Sequence, residues 1–146
     1  MRLLLVAVGT IGVLTVFLDV FGTVMGKNGG LTARHVLPRL WWLMRKPVEL
    51  ETHHRYRSRI GVTIVLFTLG LWIASFWLAW TCIFHGAPDA VLVTRTQAPA
   101  STLDRLYFVG FTISTLGVGD MAPGGPVWKL LTVLAAISGL LLLTLI

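Results

Sequence analysis

A chain of 146 residues leaves room for one domain of ordinary size. With 55% hydrophobic and only 12% charged residues, and a mean hydropathy of +0.82, it lacks the polar residues needed to cover a soluble surface. Its net charge of +6 does not indicate a nucleic-acid partner, because the basic residues cluster between two long apolar stretches and so report membrane topology.

The first element is an apolar run over about 3–24, in a segment 1–24. It is long enough for an α-helix to cross about 30 Å of hydrocarbon. Met1-Arg2 and the leucines after it have the outline of a secretory signal, but the run is too long for a signal core and no small-residue cleavage site follows. It is therefore read as a retained span. Asp19 lies within it, a costly place for an ionisable group. Its nearness to the following loop favours a partner such as Lys27 or Arg34, with a functional role as the alternative.

Residues 25–59 form a basic loop. Eight of the twelve Lys and Arg residues fall here (Lys27, Arg34, Arg39, Arg45, Lys46, Arg55, Arg57 and Arg59), opposed by Glu49 and Glu51. Short loops of this kind stay in the cytoplasm, and this one carries the charge to attract anionic lipid. Lys27-Asn28-Gly29-Gly30 is a turn signal. The mixed apolar and basic stretch Leu31 to Met44 suits an interfacial helix, although Pro38 interrupts the pattern. His35, His53 and His54 read as solvated, and no metal site is assigned.

A second span covers about 60–84, with Cys82, read as a small apolar residue, near its end. Residues 85–102 read as an outer loop. Residues 103–114 are apolar and helix-compatible but too short to cross the bilayer. The chain is already outside and a third span, 127–146, must start there. The short helix therefore dips in and returns, which is tolerated only where backbone is buried in protein or lines a watery cavity. Trp77, Trp80 and Trp128 fall near the outer ends of the spans, where they serve either an aromatic belt or packing. The resulting topology has the N-terminus outside and both the 25–59 loop and the C-terminus in the cytoplasm.

Thr115-Leu116-Gly117-Val118-Gly119-Asp120 follows the short helix. Glycine at alternate positions tolerates positive φ, so successive carbonyls can turn the same way. A row of carbonyls can replace the hydration shell of a cation, and the helix would aim its negative end at it.

With Thr112-Ile113-Ser114 before this segment and Leu106-Tyr107-Phe108 in the short helix, residues 60–146 resemble the potassium-channel family, whose signature is TVGYGD. The likeness is to the two-helix pore module, with an extra span in front. It implies an all-α membrane protein with three transmembrane helices, a re-entrant pore helix (103–114) and a selectivity-filter loop (115–120). It also implies a homotetramer in the cell membrane that passively conducts monovalent cations, most of all potassium. Thr115, Leu116, Gly117, Val118 and Gly119 would be the ion-binding filter, with Asp120 at the outer mouth. Gly139 falls where the family often has a gating hinge, with close helix packing as the alternative reading. No cofactor beyond the permeant K+ (or Na+), no catalytic constellation and no nucleic-acid partner is implied.

The sequence departs from the family pattern at Val118, where most members carry an aromatic residue, and at Phe111, which is polar or acidic in some members. Valine cannot hydrogen-bond to the pore helix, so a nonselective cation channel is one alternative. A potassium-transporter-like protein and a non-conducting regulatory subunit are others. The apolar ending at Ile146 is compatible with a longer channel that continues into a regulatory domain.

Overall fold

A computed structural model describes residues 2–25, 30, 34–36, 38–39, 42 and 54–145. Its main elements are α1 (Arg2–Met25), α2 (His54–Phe84), β1 (Val91–Val93), α3 (Thr102–Ile113), β2 (Met121–Pro123) and α4 (Pro126–Leu145). Three stretches are long and apolar enough to cross a membrane: Arg2–Met25, Gly61–Phe84 and Pro126–Leu145. At 1.5 Å per residue, α4 with its 20 residues reaches roughly 30 Å. The chain is an all-α membrane protein, as the hydropathy pattern predicts. Of the basic loop, residues 34–36, 38–39 and 42 are helical. The turn residues Lys27, Asn28 and Gly29, the loop residues Lys46, Glu49 and Glu51, and His53 lie outside the described residues.

The chain divides into two compact units, one of residues 1–15 and 75–146, the other of residues 16–74. In the second unit, Asp19 is 5% exposed, and its carboxylate accepts a hydrogen bond from the Trp72 indole at 2.7 Å. That polar contact offsets the cost of an acid at membrane depth. The indole is a partner that the sequence reading did not name. Thr23 donates to the Asp19 carbonyl and accepts from Gly30 N–H, which ties the start of the loop to the end of α1.

In the first unit, Gly9 and Gly12 of α1 face Ala79 and Ile83 of α2 closely enough that a Cβ at Gly9 would lie 2.5 Å from the Ala79 carbonyl oxygen. Helix packing within lipid relies on such small residues. An aromatic chain links α2 to α3 and α4. Phe84 meets Phe108 edge-on at 5.2 Å and Trp128 at 5.8 Å. Trp80 contacts Phe76 and Phe84 and is buried. The belt reading is therefore corrected for Trp80, whose ring is taken up by packing.

Residues 85–102 hold more than a loop. β1 pairs antiparallel with β2 in the register Val91↔Pro123, Leu92↔Ala122, Val93↔Met121. Val-Leu-Val is too short for its period to show in sequence, and its partner lies some thirty positions on.

Candidate functional site

Helix α3 starts with a capping box: Ser101 Oγ accepts from Asp104 N–H, and the Asp104 carboxylate accepts from Ser101 N–H. Both bonds satisfy amides that have no intrahelical partner. The helix buries Arg105, Phe108, Val109, Phe111, Thr112 and Ile113. Its 12 residues span only about 18 Å, so it is too short to cross a bilayer.

Arg105 is the buried cation of this unit, 7% exposed. Its guanidinium donates to the carbonyls of Phe84 and Ala87 through Nη1, of Pro88 through Nη2, and of Ala100 through Nε, all at 2.8–3.1 Å. The first three belong to the end of α2 and the turn after it. Burial lowers the Arg105 pKa and the Asp89 carboxylate partly restores it; a guanidinium stays charged through such shifts. The planar fork suits several carbonyls at once. Across the same interface, the Trp77 indole donates to the Leu106 carbonyl at 2.8 Å, and Gly110 leaves space for the Trp77 ring.

The end of α3 is a Schellman turn. Thr115 N–H donates to the Thr112 carbonyl and Leu116 N–H to the Phe111 carbonyl, with Thr115 in the left-handed region at φ 59°. Gly117 follows at φ 59° and Gly119 at φ 83°. Positive φ therefore recurs at every second residue, the alternation that the two glycines predict, and the helix cap extends it to Thr115. Residues 114–120 are exposed along their whole length in one chain. Beside them lies an open cavity of about 420 Å³, whose walls include Phe111, Thr115, Gly117, Gly119, Thr132 and Ala136.

The far end of the segment is fixed by Thr94. Thr94, next after β1, donates its N–H to the Asp120 carbonyl at 3.0 Å and its hydroxyl to the Gly119 carbonyl at 3.2 Å. Tyr107 of α3, which stacks edge-on against Phe111, lies within electrostatic reach of Asp120. Desolvation, and then the Asp120 charge, raise the Tyr107 pKa. At the other end, Gly139 of α4 packs directly on the last turn of α3, where a Cβ would collide with the Ile113 carbonyl. That approach accounts for glycine at 139 by packing.

The structure thus gathers Thr115, Leu116, Gly117, Val118, Gly119 and Asp120 into one exposed ribbon, with Gly139 behind its start. Sequence reasoning missed Arg105, Thr94 and the cap. The cap had a local signal, Ser101-Thr102-Leu103-Asp104 ahead of an apolar run. Arg105 and Thr94 had none, since their partners are distant in sequence.

Residues 61–146 match the family described as "Ion channel". The chain belongs to this family. It is also similar to an uncharacterized membrane protein, YdjJ, of Bacillus subtilis (strain 168), with 38% identity over 104 residues, 70% of this chain and 30% of the relative. The chain therefore spans less than a third of that relative's length. No solved structure matches it.

Proposed function

We propose that this chain is the pore-forming subunit of a tetrameric cation channel that prefers potassium, with residues 115–119 as the ion-coordinating wall. The observation that carries the reading is the alternation of positive φ at Thr115, Gly117 and Gly119, directly after the capped twelve-residue helix α3. Residues of alternating handedness turn successive carbonyls to one side, which favours a column of oxygens able to take the place of a cation's water. The C-terminal, partially negative end of α3 adjoins the start of that column and favours a cation there.

One chain supplies one wall. Leu116 is 72% exposed and Val118 48% exposed, and these surfaces and the open cavity beside them support closure by further copies around an axis. Four is the number that the resemblance to potassium channels implies. The basic loop supports a cytoplasmic position for residues 25–59, an outer N-terminus, and contact with anionic lipid.

Val118 favours a second reading, a nonselective cation pore, because its side chain offers no hydrogen bond to α3. The Thr94 bonds to the Asp120 and Gly119 carbonyls support the selective reading, since they brace the outer end of the filter from the segment after β1. Ion flux into liposomes under potassium and sodium gradients, with Gly117→Ala as control, decides between them. Alanine at φ 59° is strained, so the control is expected to be dead. Potassium flux without sodium flux supports the selective channel. Flux of both ions with a dead control makes it a nonselective pore. Flux of neither would sink the conducting reading and favour a regulatory subunit.

A further inference from the structure

We infer that Thr94 is a positioning residue for the filter: its side-chain hydroxyl latches the outermost filter peptide to the outer loop and so sets ion discrimination. The inference deepens the proposed function and rests on it for the second half of that statement.

The argument starts from Val118. A filter needs its carbonyls held in place, because it selects among ions only where its oxygen ligands resist rearrangement or keep a set number and field. Val118 has no polar atom with which to anchor the peptides on either side of it. A Cβ built at Gly117 or Gly119 meets nothing within 4 Å. Within its own chain the outer half of the ribbon therefore draws no support from packing at the two glycines, and its intrachain support is by hydrogen bonds.

Those bonds come from outside the pore helix. The β1–β2 ladder ends on the pair Val93↔Met121, and the next residue on each strand continues it, with Thr94 N–H donating to the Asp120 carbonyl at 3.0 Å. The Thr94 hydroxyl then reaches one peptide further, to the Gly119 carbonyl at 3.2 Å. This is the single described side-chain bond from the outer loop to a carbonyl of the 115–119 run. The donor itself is fixed. Gln97 N–H donates to the Val93 carbonyl at 2.8 Å, and the Gln97 side-chain amide donates to the Thr94 carbonyl at 3.0 Å. Gln97 adopts φ 54° to close this turn, and Val93 N–H returns to the Ala98 carbonyl. Residues 93–98 thus form a closed turn whose one outward-reaching hydroxyl ends on the filter.

The outer loop thus holds two successive carbonyls, those of Gly119 and Asp120, through the hydroxyl and the N–H of one residue, Thr94. Losing the hydroxyl frees the Gly119 peptide to rotate, and glycine offers little resistance to rotation.

The test uses Thr94→Val, which keeps the shape, the β-branch and the backbone N–H but removes the hydroxyl, and Thr94→Ser, which restores it. Two measurements are made on the full chain in liposomes. Amide hydrogen exchange is followed in peptides covering 117–123, with 103–113 as internal reference. Thr94→Val is expected to speed exchange in 117–123 about fivefold, the size of one lost neutral hydrogen bond, with the reference unchanged and Thr94→Ser like the native chain. The potassium-to-sodium flux ratio is expected to fall severalfold in Thr94→Val and to recover in Thr94→Ser. Unchanged exchange in Thr94→Val overturns the latch, as does a Thr94→Ser variant as loose as Thr94→Val. Altered exchange with an unaltered flux ratio overturns the link to discrimination. If the native chain carries no ions, the channel reading has failed, and the exchange result alone decides whether the latch exists.

Discussion

Thr115 stands in the left-handed region, where Gly117 and Gly119 also stand. For a β-branched residue that conformation costs about 1–2 kcal/mol. Glycine at 115 would relieve it, and would return about 0.5–1 kcal/mol by loosening the unfolded chain. Thr115→Gly is therefore expected to leave thermal stability unchanged or raise it by about 1 kcal/mol, while ion discrimination falls with the loss of the hydroxyl. A clear drop in the unfolding midpoint would show instead that the hydroxyl bond to the Ser114 carbonyl at 2.7 Å outweighs the strain. Arg105 carries the opposite balance. Arg105→Met keeps much of the bulk but leaves the carbonyls of Phe84, Ala87, Pro88 and Ala100 without this donor. Bonds to a charged group contribute about 1.5–3 kcal/mol each, with strong non-additivity. A loss of about 3 kcal/mol is expected in thermal unfolding in detergent, and a shift of less than about 0.5 kcal/mol would mean that water replaces the guanidinium without cost.

Between elements, the contact that matters most for the proposed pore is α4 on the last turn of α3. Gly139 lets the helices approach to the point where any Cβ meets Ile113. Gly139→Val forces them apart, and overpacking of this kind costs about 1–3 kcal/mol. Because Ile113 lies two residues before Thr115, flux is expected to fall along with stability. A Gly139→Val protein with native unfolding and native flux would contradict the packing. The helices and their order were legible because hydropathy is a local property, summed over some twenty residues in each of the three spans. The shortness of α3 was legible for the same reason. The handedness at Gly117 and Gly119 was legible because glycine is the residue that such a backbone favours. Thr115 escaped because its φ is imposed by the helix cap. β1, Thr94, Arg105 and the Asp19–Trp72 bond escaped because each depends on a partner remote in sequence, and no period or spacing within one segment encodes it. Trp80 was ambiguous for a related reason, since the same position near a span end serves a belt or a core.

For the molecule as a whole, the three spans expose apolar side chains such as Leu4, Ile11, Leu66, Leu78, Val133 and Leu140, as lipid contact requires. The ribbon 114–120 is exposed too, but it carries backbone polar groups that lipid cannot satisfy, so its cover has to come from water, ions or protein. The proposed ring provides all three. Protein purified in mild detergent is expected to have the mass of four chains, measured by light scattering with the detergent subtracted. A monomer at that step would remove the fourfold pore.

The Arg105 contacts bear on how such a chain is made. The carbonyls of Phe84, Ala87 and Pro88 leave the ribosome well before the side chain that satisfies them, which lies 17 to 21 residues downstream. During synthesis the end of α2 therefore has no guanidinium to cap it until the start of α3 has been made. The arginine's bonds tie the end of the second span to the short helix, so the hairpin between them is complete only once Arg105 is in place.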